Sequence, residues 1–553
     1  MGNLSGRRDA IPRPRALDVG LTRSPMMQFI LLTLLFLVVL PYVWMHIGPA
    51  IADKTVYNAD LLQPYLMVGD LIEDPTSLVD WHQPPSIYVF PDWLLSGMLL
   101  ALPLSPPWLP ILYGAIVMAL YCMAGGAILS ASGRISAALG TWVLAAILVG
   151  AGLLATVLGG MSLSSNLYVI LAAPFIHTGA VLSTLIAAAL FLRLLPAGNR
   201  PLLGVALALL TFAASISDRL FVVWFVAPAC LAGLLCYWAN RPDRSALVPV
   251  AIAMGAALAG LAVGWGLSFV LNIHAVPGHG SPERTWRLLE DTFERAADIG
   301  DVPSFLILAA ALALLARGTV LTVDSLLGHR PTSGEAMEIL LAGICAAALS
   351  APLATSMMTE LWLSQVGGWR YFLILTLIPM IWVAYLALGA LAQSRFPNLL
   401  SYIPAAMLLG CILIALPSWH SVQQLVAVRP LQKCVEAEGR TTGLAGAWTA
   451  RRLTMLSGRR LHVVAITQGG APDLPNHNAR WYAARGKDEA PPKFDFILLP
   501  AIDWNDHVYR DFEEIFGAPD RIVHCDKDPS PDRATQLWLY DSPLTLRDDE
   551  PES

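Results

Sequence analysis

The chain has 553 residues, of which 56% are hydrophobic and 14% charged, with a net charge of -6 and a mean hydropathy of +0.58. These values exclude an ordinary soluble enzyme and point to a polytopic membrane protein. No basic stripe and no zinc-type Cys/His spacing is present, which argues against the common nucleic-acid-binding modules, so no nucleic-acid partner is expected.

The N-terminal tail, 1–25, carries Arg7, Arg8, Arg13, Arg15 and Arg23. The stretch that follows, about 26–48, is almost purely apolar and long enough to cross a bilayer. The positive-inside rule keeps the tail in the cytoplasm and delivers the next segment to the outside. Ala50-Ile51-Ala52 resembles a signal-peptidase site, but the apolar run before it is too long for a signal peptide and reads as an uncleaved helix.

The outer segment 49–107 is rich in polar groups: Tyr57-Asn58-Ala59-Asp60-Leu61-Leu62, then Gly69-Asp70, then Trp81-His82-Gln83-Pro84-Pro85. Its apolar part, 86–104, is broken by Pro91 and Asp92 and bounded by Pro103, Pro106 and Pro107. It reads as helices on the outer membrane surface, because proline breaks helices and a carboxylate is costly in lipid. The next spans are expected at 108–131, 136–158, 168–194, 202–216, 220–238, 246–271, 303–317, 337–355, 370–391 and 399–417, giving about eleven in all. This alternation places Arg134, Arg193, Arg200, Arg241, Arg244, Arg317, Arg330 and Arg395 inside; counting 86–104 as a span would move them outside.

The region 420–545 turns polar and should lie outside. Strand-like runs at Leu461–Thr467, Phe494–Leu499, Arg521–His524 and Gln536–Tyr540 alternate with helical patterns at 446–457 and 505–516. A small α/β domain is expected there, followed by an acidic disordered tail, 546–553. Five of the seven cysteines sit in apolar stretches; Cys434 and Cys525 fall in the outer domain, where an oxidising compartment favours a bridge between them.

Carboxylates, a histidine and a Pro-Pro turn just beyond a first span resemble the first outer loop of the GT-C glycosyltransferases. These multi-span enzymes take a sugar from a polyprenyl-phosphate lipid. The resemblance implies a GT-C-like membrane domain over 26–419, with its catalytic loop at 49–107. It implies a polyprenyl-phosphate sugar donor, a glycan, lipid or protein acceptor, and a bacterial-type inner membrane with the C-terminal domain in the periplasm. No cofactor follows with certainty, although some members use a divalent cation such as Mg or Mn.

Such a transfer needs a base for the acceptor hydroxyl and cations for the leaving phosphate. By the resemblance Asp60 is the general base; by local structure alone it could cap a helix over 61–72. Asp70, roughly three helical turns on, could bind the acceptor or help hold a metal, or stand in solvent. His82 resembles the histidine of a His-Pro-Pro turn that could bind phosphate or sugar, with Gln83 inserted here; otherwise it joins an aromatic belt with Trp81 and Tyr88. Asp92 could equally cap the helix after it.

Arg219, beside Asp218 at an outer turn, either reaches a lipid phosphate or snorkels. Arg370-Tyr371 opens a late span, where the resemblance implies a phosphate site; the alternative is an interfacial anchor with Trp369. His274 and His279 are a weak metal signal, because no third ligand has suitable spacing. The rival readings are a transporter or flippase, or a polymerase, for lipid-linked glycans. The lack of an internal repeat weighs against a two-fold transporter.

Overall fold

A computed structural model describes residues 24–47, 59–83, 86–133, 135–158, 163–173, 177–196, 200–239, 244–271, 273, 282–298, 301–358, 369–392, 430–467, 469–474, 477–482, 492–499, 512–525, 535–544 and a few isolated positions. It is mostly helical. Eight helices among the described residues are long and apolar enough to cross a membrane.

These eight are α1 (Pro25–Ile47), α4 (Trp108–Ala131), α5 (Ala137–Leu158), α9 (Arg219–Ala239), α10 (Leu247–Ser268), α12 (Val302–Leu326), α13 (Ser333–Met358, apolar to Ala351) and α14 (Leu373–Ala392, apolar to Leu391). Three apolar stretches are shorter: Val89–Leu100, which ends in α3 (Leu94–Leu100), α7 (Thr178–Leu194) and α8 (Pro201–Ser217). The expected count of about eleven is therefore not reached among the described residues, and the last expected span, 399–417, lies largely outside them.

The bundle has a centre and a rim. In α4 72% of the apolar window is buried inside the protein, whereas in α10 and α12 the shares are 28% and 22%. So α4 is packed on all sides, by α1, α5 and α7, while α10 and α12 turn apolar faces outward. The contact of α4 with α5 relies on Gly126, where any Cβ would run into the backbone of Ala137 and Thr141. Small residues at such crossings let helix backbones approach.

Two expectations change here. The stretch 168–194 is not one span. It is divided between α6 (Leu163–Ala172) and α7, with His177 in the left-handed region at φ 57. Pro174 in the sequence explains the break, since it lacks an N–H and disfavours helical backbone in the residue before it. The span expected to end at Arg317 continues to Leu326. The charge does not end the helix because Arg317 Nε meets Glu338 Oε2 of α13 at 3.3 Å, while Trp382 Nε1 donates to Glu338 Oε1 at 3.0 Å.

Outside the bundle, α2 (Ala59–Glu73) leads into a 3-10 turn, Pro75–Asp80, capped by Asp74. The C-terminal region forms a five-stranded mixed sheet with order β2-β1-β3-β5-β4. The strands are β1 (Thr442–Ala445), β2 (His462–Ala465), β3 (Phe494–Leu499), β4 (Arg521–His524) and β5 (Gln536–Leu544). The parallel pair β1 and β2 is joined through helix α16 (Ala447–Leu456), a βαβ unit.

Strand β1 escaped sequence reading because Thr-Gly-Leu-Ala lacks the β-branched and aromatic signature. One sheet face, with Val463, Ala465, Phe496 and Leu498, builds its own core against α16 and α15 (Pro430–Ala437). The other face, with Leu444, Val464, Ile497 and Trp538, belongs to the hydrophobic cluster that continues into the membrane bundle. Cys434 and Cys525 are disulfide-bonded, with Cα atoms 5.5 Å apart.

Candidate functional site

At one end of the bundle, four chain-distant segments meet in a polar knot. Asp218 follows α8 and caps α9, its Oδ1 accepting from Leu220 N at 3.0 Å. Its Oδ2 lies 2.5 Å from His177 Nδ1, and both side chains are buried. The His177 ring is 5.2 Å from Tyr371, 5.8 Å from Tyr88 and 6.3 Å from Trp224. Tyr88, like His177, has a positive φ, a conformation uncommon for residues other than glycine.

The segment from Tyr88 is tied to the end of α8. Tyr88 N donates to Ser217 O at 3.2 Å and Phe90 N to Ser217 Oγ at 2.6 Å. Asp92 is buried and accepts a short hydrogen bond from the Tyr113 hydroxyl of α4. Its carboxylate rests against Gly179 in the first turn of α7, where any Cβ would collide with it. A helix start favours a carboxylate there, and the glycine makes room.

A second polar cluster joins α2 to the C-terminal domain. Asp70 is 6% exposed, yet it sits in a ring of donors. Its Oδ2 accepts from Trp81 Nε1 at 3.1 Å, Trp481 Nε1 at 3.0 Å and Asn478 Nδ2 at 2.6 Å; its Oδ1 takes a short hydrogen bond from Arg459. A carboxylate offers about four lone-pair directions, and four donors occupy them. Asp70 thus ties α2 to the C-terminal domain.

Around Asp70, Arg459 reaches Glu73, and Arg480 reaches Asp74 at 2.7 Å and also pairs with Asp80. Hydrogen bonds from Thr76, with help from Arg480, hold the Asp74 carboxyl below its usual range. Trp81 pairs with Asn478 as an antiparallel bridge, and His82 N donates to His477 O at 2.9 Å. His477 is fully buried. Its Nε2 faces Ala465 N at 3.3 Å, and burial holds its pKa well below the ordinary 6.5, with the Arg451 charge adding.

The residues singled out from sequence divide between these places. Asp60 lies in the first turn of α2, with its side chain outside the described residues. Asp70 and half-buried His82 belong to the domain junction. Tyr371 joins the His177 knot, so Arg370 enters a 3-10 turn, Trp369–Phe372, at that same end; the Arg370 side chain is outside the described residues. Arg219 is exposed at the start of α9, beside the knot. His274 and His279 lie outside the described residues. Among the described residues no group of three or more His, Cys, Asp or Glu side chains could hold a metal ion.

Sequence reading missed His177, Tyr113, Arg459, Asn478 and Arg480. His177 left one signal, a single histidine inside the apolar run 168–194, where a polar group is costly unless it has work. The junction residues left none, because a long-range hydrogen bond has no local pattern. Compared with known proteins, the chain matches no family model and no curated protein.

Proposed function

We propose that the protein is an integral-membrane glycosyltransferase of GT-C type, which moves a sugar from a polyprenyl-phosphate donor to an acceptor at the outer face of the membrane. In this reading the chain crosses about eleven times, with the N-terminus in the cytoplasm and the C-terminal domain in the periplasm. Asp60 accepts the proton of the acceptor hydroxyl as that oxygen attacks the anomeric carbon with inversion. The bond from this carbon to the phosphate oxygen breaks, and the departing lipid phosphate is met by Arg370 and Arg219. His82 and Tyr371 line the approach.

The observation that carries this reading is the convergence of polar side chains at one end of a largely apolar bundle. Residues 88–92, 177, 217–219 and 371 assemble there, so Arg219 and the backbone of Arg370 flank one knot. Polar chemistry gathered at one membrane face suits a reaction at a lipid headgroup.

One observation favours the rival reading of a transporter or flippase for lipid-linked glycans. Arg317, Glu338 and Trp382 form a polar network within the spans, and intramembrane charges mark transport paths in many proteins. Incubating the purified protein with radiolabelled polyprenyl-phosphate sugars and a membrane extract separates the two. Covalent transfer of label supports the transferase. Movement of intact labelled lipid across a vesicle membrane, without transfer, supports the rival.

A further inference from the structure

Helix α11 (Pro282–Ala297) belongs to neither polar cluster. Seven of its sixteen residues are charged, so it cannot cross a bilayer. It is strongly amphipathic instead, with charged and apolar residues on different sides. Trp286 and Phe293 are seven residues apart, close to two helical turns, and so share one face. Both look outward, Trp286 65% exposed and Phe293 39%. Arg287 stands about 100° round the helix from Trp286, exposed, and pairs with exposed Glu283 at 2.7 Å.

The position of α11 says what covers the aromatic face. The helix packs against both α12 and α13. Its link to α12 is closed by turns: Asp298 N donates to Arg295 O at 3.3 Å and Asp301 N to Asp298 O at 3.0 Å. Even fully stretched, the chain from Ala297 to Val302 reaches about 17 Å, so α11 ends near the start of α12. There α12 exposes Val302, Phe305 and Leu306, a face that lipid chains cover in a membrane. The other neighbour, α13, touches the 3-10 turn Trp369–Phe372, whose Tyr371 meets His177. Hence α11 lies at the bundle end that holds the His177 knot. Charge narrows the choice further. Three arginines and four carboxylates leave α11 no net positive charge, so insertion of apolar side chains, not attraction to anionic headgroups, would hold it to a membrane.

We infer that α11 is a surface-seated membrane helix. It lies along the headgroup layer beside α12 and α13, with Trp286 and Phe293 inserted among lipid chains and Glu283 and Arg287 in water. This seat fixes how deep the knot end of the bundle stands in the membrane, and it holds whatever the knot does chemically.

Spin labelling of the full-length protein in single-copy lipid nanodiscs tests it. Trp286→Cys, Phe293→Cys, Arg287→Cys and Glu294→Cys each carry one nitroxide, and the signal of the parent protein with its native thiols is subtracted. Collisions with oxygen, which concentrates in lipid, are compared with collisions with a water-soluble nickel chelate. Labels at 286 and 293 should meet oxygen several-fold more than nickel, and labels at 287 and 294 the reverse. Ala297→Cys, exposed and within about 20° of Trp286 round the helix, gives a second reading of the same face if Trp286→Cys does not fold. Nickel access at 286, 293 and 297 would put this face in water and overturn the inference. Low access to both reagents at these positions would mean that protein covers the face, and would overturn it equally. Oxygen preference at all the labelled positions would bury the whole helix in lipid, and a surface seat would be wrong.

Discussion

His177 and Asp218 stand 41 residues apart in the chain, yet His177 Nδ1 and Asp218 Oδ2 are 2.5 Å from one another. The contact joins the start of α7 to the turn between α8 and α9, with both side chains out of water. Breaking one side of a buried pair leaves a charge or dipole without compensation, at a cost of about 3–5 kcal/mol.

Asp218→Asn and His177→Ala should each lower the thermal midpoint of the detergent-solubilised protein, by the equivalent of about 3 kcal/mol. Paired with a double variant, they form a cycle. If the double variant loses the full sum of the two singles, the residues are not coupled and the pairing has no energetic weight.

Asp70→Ala should release the C-terminal domain. Trp81, Trp481, Asn478 and Arg459 would lose their common acceptor, and stranded buried donors cost roughly 1–3 kcal/mol each. Limited proteolysis reads the outcome as faster cleavage between the membrane bundle and the domain. A digestion pattern like that of the unaltered protein would show that the junction holds by its apolar contacts alone.

Asp60→Asn should leave folding intact and lower sugar transfer by about 10²–10⁴-fold, the usual worth of a general base. The assay is transfer of radiolabel by well-folded protein. Full activity in this variant removes Asp60 from the chemistry.

His477 gives the C-terminal domain a pH dependence with a definite sign. Its folded pKa lies well below 6.5, so below that pH the unfolded chain binds a proton that the folded one refuses. Stability is therefore whole above about pH 6.5 and falls as the pH drops, by at most about 1.4 kcal/mol per pH unit. Asp74, whose pKa is lowered from 3.8, adds its loss only at more acid values. Melting of the domain at pH 7.5 and pH 5 should differ, and His477→Gln should flatten the difference. An equally steep profile in the variant would point to another group.

The disulfide should survive isolation. Peptide mapping without reductant should recover Cys434 linked to Cys525, and Cys434→Ala should destabilise the domain by roughly 2–5 kcal/mol. Free, alkylatable thiols at both positions in protein from native membranes would contradict the bond.

Apolar runs were the most readable part of the chain. The helix Trp108–Ala131 begins and ends where the sequence places it, since nothing but an uninterrupted apolar stretch is needed to define it. Arg317 misled for a physical reason: a charge looks like a helix end until its partner, Glu338, comes from another helix. The bridge Cys434–Cys525 was legible because those two thiols alone fall in the polar C-terminal region, while the other five sit in apolar stretches. Asp70 was singled out in the sequence, but its partners were not. Its donors at 459, 478 and 481 come from a different part of the chain, and no periodicity announces a contact of that kind. Tyr113 looks like an ordinary core position until folding sets the Asp92 carboxylate against it.

The ring of donors around Asp70 also constrains how often the chain traverses the bilayer. Residues 70–81 touch residues 459–481 directly, so both stretches stand on the same side of the membrane. Whatever lies between them must leave that side and come back an even number of times. Seven of the eight long helices fall in that interval, and the shorter Thr178–Leu194 and Pro201–Ser217 fall there too. If these nine cross and the proline-broken stretch Val89–Leu100 does not, the tally is odd. A chain closed on itself in this way needs one more passage or one fewer, and mapping the side on which each loop emerges must return an even number.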